Sequence, residues 1–221
     1  MRNSRNGNLF RQKAKILVFS LLNSLIFLKS SISHKLTKGP LCRHGGFEYN
    51  EKLYLFGGKS HSLITTNRLF YYEIGTNNWV FQDIQGFIPP PTESFSYLYD
   101  KDLKTLMIFG GFNSMTGEFN NSMYEFDLKS SFWREIIYKS ERNPGPRAGH
   151  AWTSIIPDKI YMFGGEISDK KLKDLWLFDR KKELWLEITI NQTSSIWPCV
   201  FSLFFTYKKL VFSKRKGLEC Q

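Results

Sequence analysis

Residues 160–165 read Ile-Tyr-Met-Phe-Gly-Gly, and the same arrangement of a short apolar run before a glycine pair occurs at residues 53–58 and 106–111. The copies recur at intervals of about 53 residues, and a tryptophan follows each pair after about twenty more. A constant spacing of this length predicts one structural unit repeated along the chain. The positions that define the repeat are Gly57, Gly58 and Trp79, then Gly110, Gly111 and Trp133, then Gly164, Gly165 and Trp185.

The apolar run before each glycine pair predicts a β-strand. Successive side chains of a strand point to opposite faces, so Tyr54 and Phe56 would lie on one face and Leu53 and Leu55 on the other. Neither face offers a polar row to water, and we therefore expect a sheet that is covered on both sides. The glycine pair would end the strand, because glycine adopts unusual backbone angles and lets a second backbone approach closely.

A second signature follows in each copy, in which two aromatic residues separated by one position precede an acid. In the third copy these residues are Trp176, Phe178 and Asp179, and Trp185 lies six positions after the acid. Alternating aromatics are typical of a strand, so the acid would cap a tight turn into a further strand that begins at the tryptophan. The equivalent acids are Glu73 and Asp127. A proline-led strand opens each copy, at residues 40–49, 91–99 and 146–156, which makes four strands per unit.

This pattern resembles the kelch repeat, whose unit forms one four-stranded antiparallel blade of a β-propeller. The third copy matches best, with Pro146-Arg147-Ala148-Gly149-His150 ahead of the run at 160–165 and Asp174-Leu175-Trp176 after it. The second copy departs from the family at its first strand, where Phe95 stands at the position of His150. The resemblance implies an all-β fold of kelch-type blades.

Three complete units and about half a fourth predict an incomplete propeller, because propellers generally need about four to eight blades to close a ring. Such an open arc would expose apolar faces and unpaired edges, so we expect the chain to self-associate or to be completed by another polypeptide. The predicted divisions are a basic and apolar N-terminal segment at 1–38, blades at 39–88, 89–142 and 143–190, and a degenerate partial blade with a basic tail at 191–221.

The formal charge of +11 belongs to the ends of the chain. Residues 1–47 contain nine Lys or Arg and no acid, and residues 199–221 contain five basic residues with one Glu, whereas the repeats between them are close to neutral. Specific nucleic-acid binding generally requires a positive face on the folded domain. We therefore expect no specific nucleic-acid partner.

The N-terminus leaves the cellular location open. Basic residues, the apolar stretch 16–28 and the small residues Ser31 and Ser33 follow the order of a secretory signal, and the stretch is too short for a membrane span. A mitochondrial presequence and an unfolded extension are the alternatives. The three cysteines form no disulfide framework, which slightly favours the cytoplasm. The sequons at Asn120 and Asn191 acquire meaning only in the secretory alternative.

The residues that carry chemistry do not assemble into a catalytic motif. The chain has four histidines, and His44 and His150 occupy the same register in their units, which favours a structural role over metal binding. No nucleophile pattern and no phosphate-binding glycine loop occurs. We therefore expect no catalytic residues, no metal and no cofactor, and we predict that the protein is not an enzyme.

The loops after the glycine pairs differ between the units, and unlike loops on a rigid scaffold are typical of a composite binding surface. The resemblance implies the same, since kelch proteins chiefly mediate protein–protein contacts. The predicted function is a protein-interaction scaffold, and the alternative is a secreted or lumenal propeller with a carbohydrate-binding or enzymatic role. The candidate partner-binding residues are Lys59, His61, Arg68, Met115, Phe119, Asp169, Lys170 and Lys171.

Overall fold

A computed structural model describes residues 41–189, which form strands and turns without a helix. The terminal segments, the partial fourth unit, Cys199, Cys220 and the sequon at Asn191 lie outside the described residues. Three antiparallel sheets follow one another in the chain, and each contains four strands from one repeat. The prediction of an all-β fold built from kelch-type blades is confirmed.

Each blade pairs its four strands in chain order. Blade 1 contains β2 (Gly45–Tyr49), β3 (Lys52–Phe56), β5 (Leu69–Glu73) and β6 (Asn78–Phe81). Blade 2 contains β8 (Ser96–Asp100), β9 (Thr105–Phe109), β12 (Met123–Asp127) and β13 (Phe132–Ile136). Blade 3 contains β14 (Ala151–Ile156), β15 (Lys159–Phe163), β18 (Leu175–Asp179) and β19 (Leu184–Ile188). Each glycine pair follows the end of the second strand, and each repeated tryptophan is the second residue of the fourth strand rather than its first.

Short strand pairs flank the glycine pairs. The pairs are β1 (Leu41–Cys42) with β4 (Lys59–Ser60), β10 (Phe112–Asn113) with β11 (Glu118–Phe119), and β16 (Glu166–Ile167) with β17 (Lys170–Lys171). The first blade strands thus begin about five residues after the prolines, later than predicted. The intervening residues pair with the loops after the glycines, as in the bridges of Glu93 with Phe112 and Ala148 with Glu166.

The boundary predicted at residue 88 does not coincide with the sheet boundary. The strand β7 (Gln85–Gly86) runs parallel to β13 and adds a fifth strand to the sheet of blade 2. Gly86 has a φ of +87°, and a Cβ there would lie 2.1 Å from the carbonyl oxygen of Trp133. The linker of the first repeat therefore covers the edge strand of the second blade.

Each blade has two faces that we name by what they meet. The leading face carries the repeated tryptophan and, in blades 2 and 3, packs on the preceding blade. The trailing face carries the Phe before the glycine pair and, in blades 1 and 2, packs on the following blade. The ring centroids of Trp133 and Phe56 lie 4.9 Å apart, and those of Trp185 and Phe109 lie 5.2 Å apart. One aromatic contact thus recurs at both described blade interfaces.

The predicted burial of both strand faces holds in blade 2 and fails on one face of blade 1, and in blade 3 the trailing face combines a buried Phe163 with a half-buried Tyr161. In blade 2, Leu106 and Ile108 on the leading face are each 1% exposed. Their equivalents in blade 1, Leu53 and Leu55, are only half-buried. The difference arises because no described blade precedes blade 1.

The predicted turn caps are present at the two aspartates. Asp127 Oδ1 accepts the backbone N–H groups of Lys129 and Ser130 at 2.7 and 3.2 Å, and Asp179 Oδ1 accepts those of Lys181 and Lys182 at 3.2 Å each. Glu73 differs, because its side chain accepts from the hydroxyl of Thr76 while its backbone carbonyl accepts from Asn77. The additional methylene of glutamate places the carboxylate farther from the turn amides.

An arginine ties blade 3 to blade 2 at the end of the sheets opposite the glycine pairs. Arg180 donates to Asp100 Oδ2 at 2.6 Å and to Thr105 Oγ1 at 2.9 Å, and it also pairs with Glu125. Leu128 occupies the equivalent position in blade 2 and packs on the core between blades 1 and 2. The two interfaces therefore share their aromatic contacts and differ in polarity at this end.

Candidate partner-binding rim

The loops after the three glycine pairs lie at one end of the sheets, because β3, β9 and β15 all run toward that end. Two of the loops are hydrogen-bonded to each other. Thr65 Oγ1 donates to Asn113 Oδ1 at 2.7 Å, and Ser114 Oγ donates to the carbonyl oxygen of Leu63 at 2.8 Å. The loops of blades 1 and 2 therefore form one continuous surface, which we call the rim.

Three large apolar side chains project from this joined part of the rim. Leu63 is 61% exposed, Ile64 47% and Met115 64%. The blade 1 turn is closed by the N–H of Leu63 donating to Ser60 O at 2.9 Å and by the N–H of Ser60 donating to Ile64 O at 3.0 Å. We call Leu63, Ile64 and Met115 the apolar tip.

Two of the predicted partner-binding residues contact other residues of the fold. Lys59 Nζ lies 3.3 Å from Glu93 Oε1, and the ring of Phe119 packs on Phe112 at 4.7 Å in its own hairpin. Lys59 faces Glu93 because the opening segment of blade 2 lies beside the loop of blade 1. Phe119 contacts Phe112 because the two residues are cross-strand neighbours, a pairing that the sequence pattern of the loop does not show.

The other predicted residues are exposed at separate places. His61 and Met115 lie in the joined loops of blades 1 and 2, and Asp169 and Lys170 lie in the hairpin of blade 3. The remaining two are exposed but have partners, since Lys171 pairs with Glu166 and the guanidinium of Arg68 stacks 4.9 Å from the ring centroid of Phe81.

Leu63 and Ile64 were not among the predicted binding residues. Their signal in the sequence is an adjacent apolar pair inside the polar loop 59–69, where no strand pattern requires such residues. Leu63 has a φ of +58°, in the left-handed region. A left-handed leucine is uncommon and carries a conformational cost.

An arginine and an aspartate fix the base of the blade 3 loop. Arg147, which is 3% exposed, donates from both terminal nitrogens to the two carboxylate oxygens of Asp174 at 2.8 Å each. Burial alone would raise the pKa of Asp174, but hydrogen bonds from Arg147 and Trp176 hold that pKa below its usual value. Arg147 Nη1 also donates to the carbonyl oxygen of Gly164 at 3.0 Å, so the loop starts and ends at this charged, partly buried anchor.

A buried carboxylate fixes the base of the blade 1 loop. Glu93 is fully buried, and its oxygens lie 3.5 Å from Arg43 Nη1 and 3.3 Å from Lys59 Nζ. Beside it, a cavity of about 300 Å³ opens between the linker into blade 2 and the β10–β11 hairpin. Its lining is mixed apolar and polar, and includes Pro90, Pro91, Asn113, Glu118, Phe119 and Tyr124. The rim thus offers a recess next to the apolar tip.

His150 is a packed core residue. It is 4% exposed, lies edge-on to Phe109 at 5.4 Å, and neither ring nitrogen has a hydrogen-bond partner among the described residues. Burial, assisted by the charge of Arg147, lowers its pKa to about 3. Within residues 41–189 no group of three or more His, Cys, Asp or Glu side chains is placed to hold a metal ion.

Replacing His150 by Phe is expected to make stability less sensitive to acid. The folded pKa lies below the unfolded value of 6.5, so His150 favours folding above about pH 6.5, and this contribution is lost progressively as the pH falls toward about 3. Between about pH 7 and about pH 5 the parent should lose roughly 2 kcal/mol more than His150→Phe. Denaturant unfolding at the two pH values measures the difference.

Phe is the suitable replacement because Phe95 occupies the same register in blade 2 and is 7% exposed. Each ring packs against the first glycine of the pair in the preceding blade. A Cβ at Gly57 would lie 2.8 Å from the Phe95 ring, and one at Gly110 would lie 3.0 Å from the His150 ring, so the two rings have similar room. If parent and variant lose equal stability between the two pH values, folding does not lower the pKa of His150.

The sequon at Asn120 lies in a folded turn. Asn120 is half-buried, and its Oδ1 accepts the backbone N–H of Ser122 at 2.7 Å. Its carbonyl oxygen also accepts the N–H of Arg147 at 3.2 Å. The side chain thus has a role in the fold that does not involve a glycan.

None of the described residues forms a helix long and apolar enough to cross a membrane.

Comparisons with known proteins extend the resemblance over most of the chain. A family model described as the KLHDC2/KLHL20/DRC7 Kelch-repeats domain matches residues 43–219. Human Kelch domain-containing protein 1 is 28% identical over 174 residues, covering 66% of this chain and 41% of that protein. Tip elongation aberrant protein 3 of Schizosaccharomyces pombe is 32% identical over 137 residues, covering 60% of this chain and 12% of that protein.

The chain therefore spans less than half the length of these relatives. Among solved structures, that of YjhT superposes with a TM-score of 0.59 at 17% identity, covering 76% of this chain and 57% of that one, which supports the fold alone. The family match continues about thirty residues past the end of blade 3. Together with three blades joined by the same aromatic contact, it shows that this chain belongs to the kelch-repeat family.

Proposed function

We propose that this chain is a non-enzymatic protein-interaction module that binds a partner protein through the rim. The observation that carries the proposal is the apolar tip, in which three large side chains stay about half or more exposed on two hydrogen-bonded loops. Clustered exposed apolar side chains of this kind mark interaction surfaces. Membership of the kelch-repeat family supports the same reading.

The rim has the arrangement of an interface, with an apolar centre and a polar border. His61 is exposed in the same loops, and the anchor at Glu93 keeps the base of the blade 1 loop fixed. Interfaces concentrate binding energy in a few central apolar residues that a polar border shields from water. A rigid base limits the conformational entropy that binding removes.

Replacing both Leu63 and Met115 by Asp is expected to abolish partner binding without unfolding the chain. Both side chains are mainly exposed, and Asp tolerates the left-handed backbone of position 63 better than Leu does. The loss should be about 100-fold or more in affinity, because two central contacts are removed and charge is introduced. The measurement is quantitative affinity capture from cells with tagged parent and variant, followed by titration of the proteins retained.

The control is the double variant Leu103→Asp/Ile155→Asp. Leu103 is 53% exposed and Ile155 is 54% exposed, and both lie at the opposite end of the sheets. The control should retain the partners of the parent protein. If the rim variant retains them equally well and keeps its thermal unfolding midpoint, the apolar tip is not the binding site.

A further inference from the structure

The recess beside the apolar tip has two walls that the fold holds in place. One wall is the linker into blade 2, where Pro90 and Pro91 restrict the backbone. The other is the β10–β11 hairpin, which contributes Phe119 and Asn113. Asn113 Oδ1 accepts the hydroxyl of Thr65 at 2.7 Å, so the blade 1 loop and the hairpin are joined at this wall. The recess is therefore shaped before a ligand enters it, which reduces the entropy lost on binding.

The size and the apolar lining of the recess suit one side chain. Its volume is about 300 Å³, at the lower end of the roughly 300–1,000 Å³ that ligand cavities span. The aromatic residues Phe119 and Tyr124 line it together with the two prolines. Aromatic and proline rings pack well on methylene groups and on flat, positively charged groups.

The recess carries a negative charge. Glu118 is the one charged residue among the described residues that line it. The Glu118 carboxylate accepts the hydroxyl of Thr116 at 2.9 Å, and it forms no ion pair within residues 41–189. The nearby Lys59 is already paired with Glu93 at 3.3 Å. The charge of Glu118 therefore favours a positively charged ligand.

Thr92 adds an acceptor at the buried end of the lining. The residue is 2% exposed, and its hydroxyl has no hydrogen-bond partner among the described residues. Most buried hydroxyl groups in proteins are hydrogen-bonded, and one without a partner costs free energy. A ligand with several N–H donors can supply the missing partner.

We propose that the recess binds an arginine side chain of the partner protein. The proposal rests on the function proposed for the rim and names the chemistry recognised beside the apolar tip. A guanidinium has a positive charge for Glu118, a flat face for the rings of Phe119 and Tyr124, and five N–H donors with no acceptor. Lysine fits less well, because its ammonium is compact, strongly hydrated and without a flat face.

The test is an NMR titration of the isotope-labelled full chain with N-acetyl-arginine amide. We expect saturable shifts of the backbone amide signals of Glu118 and Phe119. The corresponding citrulline amide has nearly the same shape without the charge, and it should bind about fivefold more weakly or less tightly still. The lysine amide should also bind more weakly than the arginine amide.

Two variants test the acceptors. Glu118→Gln should weaken binding of the arginine amide about fivefold without changing the thermal unfolding midpoint, because the exposed carboxylate contributes its charge to the ligand and not to the fold. Thr92→Val should also weaken binding, and it should not lower the midpoint, because it removes a hydroxyl that has no partner in the fold. The matched control is Asp169→Asn, which makes the same change at an exposed carboxylate in the blade 3 loop and should bind like the parent.

Several outcomes would overturn the proposal. Equal affinities for the arginine and citrulline amides would exclude recognition of the charge. Unchanged binding by Glu118→Gln would place the probe elsewhere, and an equal loss in Asp169→Asn would indicate general attraction to acidic residues.

Affinity capture from cells separates this proposal from the function proposed for the rim. Glu118→Gln should retain less of the partners that the parent retains. If it retains them fully while the Leu63→Asp/Met115→Asp variant loses them, arginine recognition is wrong and the rim remains the binding site. If Glu118→Gln loses them while the Leu63→Asp/Met115→Asp variant retains them, the recess is supported and the apolar tip is not the binding site.

Discussion

Trp133→Ala is expected to lower the free energy of unfolding by about 3 to 5 kcal/mol, the cost of truncating a large aromatic residue in a core. Trp133 is fully buried between Phe56 of blade 1 and Phe126 of its own blade. Its indole N–H has no hydrogen-bond partner among the described residues, so the loss is one of packing. Urea unfolding of parent and variant measures the effect.

Phe132→Ala is the matched control, because Phe132 lies next to Trp133 in β13 but points to the other side and is 45% exposed. Its replacement should cost about 1 kcal/mol or less. Both variants truncate a large aromatic side chain in the same strand. A larger loss for Trp133→Ala can therefore be assigned to its burial between the blades. Equal midpoints for Trp133→Ala and the parent would contradict the interface described here.

Gly111→Ala is expected to destabilise the chain by about 3 kcal/mol or more, because strain and steric overlap act together. Gly111 has a φ of +105°, which side-chain-bearing residues rarely adopt. An added Cβ would also lie 2.2 Å from Thr92 Oγ1 and 2.9 Å from the carbonyl oxygen of Glu93. The hydroxyl of Thr92 can rotate away from the added Cβ. The backbone of Glu93 cannot move as easily, because its N–H and its C=O are both hydrogen-bonded to the backbone of Phe112.

Two other glycines separate the contributions to this loss. Gly117 has a φ of +76° with no atom within 4 Å of its ideal Cβ, so Gly117→Ala should cost only the conformational strain of about 1 kcal/mol. Gly75 has neither a positive φ nor a close neighbour, and Gly75→Ala should be nearly neutral. Thermal or denaturant unfolding of the three variants should rank them in this order. A Gly111→Ala variant as stable as Gly117→Ala would mean that the backbone around Thr92 yields at little cost.

Blade strands and their order could be predicted from the sequence because their signals are local. Alternating apolar residues specify a strand within five residues, and the glycine pairs and turn-capping aspartates mark where strands end. These features correctly located the second, third and fourth strands of each blade. The fourth strand begins one residue before the tryptophan, whereas the sequence predicted that it begins at the tryptophan. The packed role of His150 followed from its repeated register in the same way.

The tertiary structure decided which faces are covered, which edges are paired and which loop residues are available. Leu53 and Leu106 occupy the same position in equivalent apolar runs, yet only Leu106 is fully buried, because burial depends on a neighbouring blade about fifty residues away. Gln85–Gly86 pairs with a strand of the next repeat, which no pattern within the linker indicates. Such contacts join residues that are far apart in sequence.

The candidate site shows the same division between local and long-range information. The sequence identified the loops after the glycine pairs as the variable part of each repeat, because they depart from the pattern that the strands keep. It could not show that Lys59 lies 3.3 Å from a buried Glu93 or that Ser114 holds Leu63 in place, since both contacts cross from blade 1 to blade 2. Strands and turns are determined by residues that are neighbours in the sequence. Exposure and ion pairing depend on how the blades pack on one another, which only the tertiary structure shows.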